Sequence, residues 1–432
     1  MYRYILNTFF ARAVSTALNF FIVLVIARHA GPGIKGEVTL LITISWFFIF
    51  LSNILGGQAL VYLIPRNKIE LLVVPAYLWS VAVAAIGFIL LKSSFIIQAQ
   101  HVTSIAVLSL LYSFITIHQT ILLAKKQITN SNLIQILSLL IQSAGIIFCF
   151  YFLHINSSFA YIYATLVAYS FTALFSFFLI KNIVPFKNFW KDFSFKELNI
   201  SFRFGFLYQL VEILQLLNLR YYFFQLGIQE GSAYLGIYSI GIAVLEAVWL
   251  IPRSMSTVQY VSTSNNEKVK EEATRIVQLV KVGIIFSGIV LLLISLIPPS
   301  AYIYIFGEGF RYTRHSMRFL FPGILIYTPA IIIGSFYLGT GKYLPLIISN
   351  LAGFLSIVVL GYFLIPQYVM TGAGLAATIS FAVASTTLLI FFIADNKIPL
   401  SQFLLSQNDL MAATAKLKSI YTPRNKRARE FS

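Results

Sequence analysis

Long apolar stretches follow one another along this chain with only short polar breaks. About twelve of them reach the roughly 20 residues a helix needs to cross the hydrocarbon of a bilayer. They are 5–27, 38–64, 71–91, 102–124, 132–153, 159–180, 201–224, 233–252, 277–297, 317–339, 343–365 and 372–394. No water is present at that depth to satisfy backbone N–H and C=O groups, so each stretch is expected to close its hydrogen bonds internally as a helix. The chain therefore reads as an all-α integral membrane protein. Only 10% of its residues are charged, against about a quarter in a soluble domain.

Charge sets the expected orientation. With the N-terminus inside, the inner loops carry Arg66 and Lys68, Lys125 and Lys126, Lys181 to Lys196, Lys268 to Lys281 and Lys342, and the tail adds Lys416 to Arg429. The outer loops carry only Arg28, Lys35, Lys92, Arg311, Arg314 and Arg318. This asymmetry places both termini in the cytoplasm and explains the net charge of +17 without nucleic acid. The first apolar run reads as a signal anchor. Cys149 is the single cysteine, which excludes an intramolecular disulfide and a cysteine metal site.

The Lys- and Phe-rich connection near the middle divides the chain. An N-terminal six-helix bundle (1–185), a cytoplasmic linker (186–200), a C-terminal six-helix bundle (201–395) and a basic cytoplasmic tail (396–432) are expected. Residues 398–411 suit a short amphipathic helix or a solvated tail. An internal repeat supports the halves. Ser131-Asn132-Leu133 with Ser138 recurs as Ser349-Asn350-Leu351 with Ser356, each opening the fifth helix of its half. A weaker echo sets Gly31 and Gly36 after the first helix beside Gly231 and Gly236 after the seventh. Repeated transporter halves place their site at the interface between them.

Charges inside spans are expensive and mark candidate sites. Glu212 and Glu246 lie deep in the seventh and eighth segments, and the seventh adds Gln209, Gln215, Asn218 and Arg220. At about 100° per residue Gln209, Glu212, Gln215 and Arg220 fall within about 140° of one another, with Asn218 beyond that arc, which suits a hydrated cavity or interhelical hydrogen bonding. Glu212 and Glu246 suit either coupling to a proton or sodium ion or a fixed pairing with arginine. Arg12 in the first span either faces the cavity or snorkels to the headgroups, and Arg28 ends that span at the interface. Asn53, with Gly56, Gly57 and Gln58, interrupts the second span. Arg311, Arg314 and Arg318 stand on the outer side against the charge rule. Five scattered histidines lack metal-ligand spacing, and no Walker A sequence or large outer loop with reactive groups is present. The expectation is a transporter without cofactor or metal, and not an enzyme.

Several short motifs occur in order along the chain. They are Ala27-Arg28-His29-Ala30-Gly31 with Gly36; Leu235 to Ser239; Ile305-Phe306-Gly307; Leu338 to Lys342; and Ile365 to Tyr368 followed by Thr371 to Thr378. Through them residues 1–395 resemble the polysaccharide (O-antigen type) flippases of the multidrug/oligosaccharidyl-lipid/polysaccharide (MOP) exporter superfamily. Two positions depart from the pattern: Val369 replaces a usual Gly, and Lys35 replaces a common aromatic, both expected in loops. The resemblance implies a MATE-like, V-shaped pair of bundles with helices 1, 2, 7 and 8 around a central cavity. It implies a polyprenyl-diphosphate-linked oligosaccharide as substrate, moved by alternating access from the inner to the outer leaflet of a bacterial plasma (inner) membrane, with membrane lipids and polysaccharide polymerase machinery as partners. Arg12, Arg220 and Arg28 would attract the diphosphate, Asn53, Gln209, Gln215 and Asn218 would line the sugar site, and Glu212 and Glu246 would respond to the coupling ion. A cation-coupled multidrug exporter of the same superfamily is the alternative, and a polysaccharide polymerase or ligase, which would need a large outer loop bearing reactive groups, is the third reading.

Overall fold

The computed structural model describes residues 2–65, 68–93, 99–184, 195–265 and 269–403. It is built of helices: α1 (Tyr2–Gly56), α2 (Gln58–Leu63), α3 (Ile69–Lys92), α4 (Ala99–Ala124), α5 (Ile128–Tyr151), α6 (Ser158–Ile180), α7 (Phe195–Gln229), α8 (Ser232–Glu246), α9 (Leu250–Asn265), α10 (Val269–Ser295), α11 (Pro299–Phe306), α12 (Thr313–Met317), α13 (Phe321–Thr340) and α14 (Leu344–Asn396). Among the described residues, nine helical stretches are long and apolar enough to cross a bilayer. Two of these, Ala13–Gly56 with 44 residues and Leu344–Asn396 with 53, have double length. Each folds back on itself at one residue of non-helical backbone, Gly31 (φ 75°) or Val369 (φ 50°). Ile22 and Ile42 accordingly line one cavity, and Leu346 and Leu388 line another. The polar α7, 35 residues long, supplies the remaining crossing. The expected all-α architecture of about twelve crossings is the observed one, and the protein is a multi-pass membrane protein.

Val369 explains one departure from the family pattern. A β-branched residue at positive φ is a genuine outlier, so a glycine is the natural occupant of this reversal.

The stretch between the expected eighth and ninth spans, 253–276, is instead mostly helix. Helix α9 runs on to Asn265 and α10 begins at Val269. Glu272 ties the two together: it accepts from Gln259 Nε2 at 2.5 Å, Ser262 Oγ at 3.1 Å and Arg275 at 3.4 Å. This carboxylate is buried (2% exposed), so buried acids are not confined to α7 and α8. An apolar-run criterion misses such extensions because their membrane-distal turns are amphipathic. Of the expected amphipathic segment 398–411, Leu400–Phe403 forms a single 3₁₀ turn, and 404–432 lie outside the described residues. Residues 186–194 of the expected linker do as well, and α7 begins at Phe195.

Buried apolar residues divide by half. One core joins α7 to α14, and three smaller cores lie within α1 to α6. The halves meet along α1. Val23, Ala27 and Leu40 enter the second core, and Phe224 packs into one of the first.

The closest approach is a reciprocal crossing of α1 and α8. A Cβ built on Gly36 would lie 1.8 Å from the carbonyl oxygen of Ser232, and one on Gly236 would lie 1.8 Å from that of Pro32. In lipid, helix association rests on packing and interhelical hydrogen bonds, and small residues allow such contact. The weaker of the two sequence echoes thus marks a two-fold-like seam between the lobes. At the same end, Pro32 packs on Gly309, and Arg28 donates to the carbonyls of Tyr304 (2.8 Å) and Ile305 (3.5 Å). Lys35, expected in a loop, lies on the helix behind this seam and is buried (5% exposed).

Candidate functional site

The charged centre forms between the antiparallel α7 and α8, away from the turn that joins them. Arg220 grips Glu246 with both ends of its guanidinium, NH1 to Oε1 at 2.7 Å and NH2 to Oε2 at 2.8 Å. This fork-to-carboxylate geometry is the strong form of an ion pair. Phe223 covers the guanidinium, with its ring centroid 5.2 Å away. The side chains retain 23% and 17% exposure, so the pair is sheltered without being sealed. Across the seam, Lys35 Nζ donates to Thr39 Oγ1 (2.7 Å) and to Ser239 Oγ on α8 (3.2 Å). It lies within electrostatic reach of Arg220.

Glu212 stands one face away. Its neighbours are Tyr208 and the charge of Arg253, and it makes no ion pair among the described residues. Nearby opens a cavity of about 400 Å³ within the second lobe. Its floor and walls include Tyr208 and Gln215 from α7, Arg253 and Tyr260 from α9, Tyr327 from α13 and Asn350 from α14. Gln215 Nε2 reaches Tyr327 Oη at 3.4 Å. Arg253 is the one charged lining residue described, and its guanidinium lies 5.5 Å from the Trp249 ring. Amides, hydroxyls, phenols and one guanidinium make this cavity a hydrogen-bonding site biased towards negative charge.

The other sequence candidates distribute as follows. Asn53 and Gln209 come together at the break between α1 and α2, where a Cβ on Gly57 would lie 2.8 Å from Gln209 Nε2 and 2.7 Å from the Asn53 carbonyl oxygen. Their side-chain oxygens are buried without a hydrogen-bond partner, so this end of the seam holds unused acceptors. Asn218 is fully buried and accepts from Ser380 Oγ at 2.5 Å, which makes it part of the packing between α7 and α14. Arg28 ties α1 to the end of α11. Arg12 lies on α1, and its side chain lies outside the described residues. Arg311 pairs with Glu308 (3.1 Å), and Arg314 donates to the Ser295 carbonyl (3.0 Å).

Sequence reasoning passed over Arg253, Tyr208, Tyr327 and Asn350. Arg253 follows Pro252, which looked like the end of a span, whereas the helix resumes through a 3₁₀ turn at Ala247–Trp249 and carries Arg253 on its inner face. Asn350 sat within the repeat motif, and its repetition was the available signal.

No protein-family model and no curated protein matches the sequence. Solved structures do match. A multidrug resistance MATE family transporter of the MOP superfamily, in an inward-facing conformation, superposes with a TM-score of 0.71 at 13% identity, covering 88% of this chain and 94% of that one. The lipid II flippase MurJ in an inward closed conformation gives 0.71 at 15% identity, covering 98% and 94%. A MOP superfamily transporter from Pyrococcus furiosus, described as having a binding pocket of reverse polarity, gives 0.67 at 16%, covering 91% and 94%. The chain has the MOP transporter fold. At these identities the likeness carries architecture alone. Arg220 and Glu212 lie on α7, Glu246 on α8 and Lys35 on the second arm of α1.

Proposed function

We propose that the protein is a flippase that moves a polyprenyl-diphosphate-linked oligosaccharide across a bacterial plasma membrane by alternating access, for surface polysaccharide synthesis. The observation that carries this reading is the composition of the second-lobe cavity, where Arg253 stands among Gln215, Asn350 and tyrosines, beside the sheltered Arg220–Glu246 pair. Guanidinium suits diphosphate oxygens, and amides suit sugar hydroxyls. The prenyl chain would stay in lipid. Both termini would face the cytoplasm, as the lysine distribution favours.

Within this reading Arg220 and Arg253 attract the diphosphate, with Arg12 as a further candidate. Glu246 holds Arg220 in place. Glu212, unpaired with any described cation, is the better candidate for binding a coupling proton or sodium ion. Replacing Arg220 with Ala should abolish surface glycan in cells at normal membrane levels of the protein. Normal surface polysaccharide in that variant refutes the assignment.

A multidrug exporter is the second reading, favoured by Glu212 beside the cavity, since a carboxylate suits cationic drugs. Drug sensitivity of a deletion strain, with surface glycan intact, would establish it in place of the first.

A further inference from the structure

The first lobe contains its own cavity, about 260 Å³, between the two arms of α1, α4, α5 and α6. None of its described lining residues is charged. Its polar groups are the amides of Asn19, Gln119, Gln135 and Gln142, the Ser138 hydroxyl and tyrosine phenols, and the rings of Trp46, Tyr112 and Tyr169 share the lining. The rings brace one another, with Trp46 5.4 Å and Tyr169 5.1 Å from Tyr112 between centroids.

The hydrogen-bonding capacity of these amides is largely unspent. Asn19 and Gln119 donate to the carbonyls of Ser15 (2.9 Å) and Ser131 (3.4 Å), leaving their own oxygens free. Gln135 makes no hydrogen bond to another described residue, and the Trp46 indole N–H is likewise open. Gln142, deeper in the wall, is committed to Thr165 at 2.7 Å and serves the packing.

The second lobe shows that this arrangement is not imposed by the fold. By the Ser-Asn-Leu repeat, the counterpart of Gln135 is Gly353. A Cβ there would lie 2.7 Å from Asn218 Nδ2. In that lobe the amide comes from α7 and is bound to Ser380. In the first lobe, Gln135 on α5 lines the cavity instead and bonds to no described residue.

We propose that the first-lobe cavity is a binding site for one uncharged sugar ring of a glycan. Amides of Gln135 and Gln119 bond its hydroxyls, and the Trp46–Tyr112–Tyr169 wall packs against its C–H face. A charged ligand would be stranded here without a countercharge, and a purely apolar one would leave the amides unpaired. The volume falls just below the roughly 300–1,000 Å³ of drug-sized pockets, which suits a single ring. The inference rests on the transport reading above only in assigning the diphosphate of the same substrate to the second lobe.

The test uses the full-length protein in lipid nanodiscs, titrated with farnesyl diphosphate and with farnesyl diphosphate carrying one glucose, galactose or N-acetylglucosamine. At least one sugar-bearing probe should bind about tenfold more tightly than the bare one, the scale of one or two net hydrogen bonds. Gln135→Leu, at a position bonded to nothing, should reduce that advantage to less than about threefold while leaving affinity for the bare probe unchanged. The proposal is overturned if no sugar adds affinity, or if the advantage survives in the Gln119→Leu, Gln135→Leu double variant. Failure of the bare diphosphate to bind counts against the transport reading instead. The subsite is then decided by the matching methyl glycosides: quenching of the emission that Trp46→Phe removes supports it, and absence of quenching overturns it.

Discussion

Substituting alanine for Gly36 should force the two lobes apart at their tightest contact. The new Cβ would sit 1.8 Å from the Ser232 carbonyl oxygen, and the obstacle is backbone, with no flexible side chain to yield. Restoring ordinary contact near 3.5 Å needs roughly 1.5 Å of separation. Both helices here begin at reversals, so the displacement cannot be absorbed by bending one end alone. Overpacking of this kind costs about 1–3 kcal/mol, which lowers the closed-seam population relative to an open one by about 5- to 150-fold. The near-symmetric crossing makes Gly236→Ala an equivalent perturbation, with the Pro32 carbonyl as its obstacle. The assay is pulsed electron paramagnetic resonance between spin labels at Asn156→Cys and Arg311→Cys, exposed positions on opposite lobes at that end, in a Cys149→Ala background. Either alanine should shift the distance distribution to longer values. An unchanged distribution in both variants would show that the seam yields locally and does not set the closed state.

Four further outcomes follow from the same geometry. Val369→Gly should stabilise the protein by about 1 kcal/mol by relieving a positive φ, seen as a higher Tm in detergent; an equal or lower Tm refutes the strain. Glu246→Gln should cost about 1.5–3 kcal/mol, and adding Arg220→Gln should recover part of it, because an unpaired sheltered charge is worse than a neutral pair; additive losses in the double-mutant cycle would deny the coupling. Glu272→Ala should leave Gln259 and Ser262 short of an acceptor, cost about 1–3 kcal/mol, and raise hydrogen exchange in the facing ends of α9 and α10 above that of α13. Lys35→Met removes the hydrogen bond to Ser239 while keeping the stem, so it should lengthen the same spin-label distance by less than Gly36→Ala does.

The crossings were legible because a bilayer imposes the same rule on every segment: satisfy the backbone internally and cover it with apolar side chains. That rule fails where a helix runs on past its apolar stretch. Helices α9 and α10 continue on amphipathic turns, so Glu272 read as a loop residue and Arg253 as lying past the end of a span. Angular position on one helix set Glu212 and Arg220 on adjoining faces but could not show that the guanidinium meets Glu246 on the next helix. Lys35 read as a loop cation because Pro32 and Gly33 look like a turn, whereas the reversal is complete at Gly31 and the helix has already restarted. The glycine echo was faint in sequence, since two glycines at equal spacing recur by chance, and its meaning lies in the partner backbone.

Helix α11 belongs by sequence to the second lobe, yet two of its last carbonyls are held by Arg28 of the first. Any rocking of the lobes must therefore either break those bonds or drag the short helix across. If they hold, α11 behaves as a strap, limiting how far that end can swing and returning it when the load is gone. A single side chain would then set the stroke length of the machine.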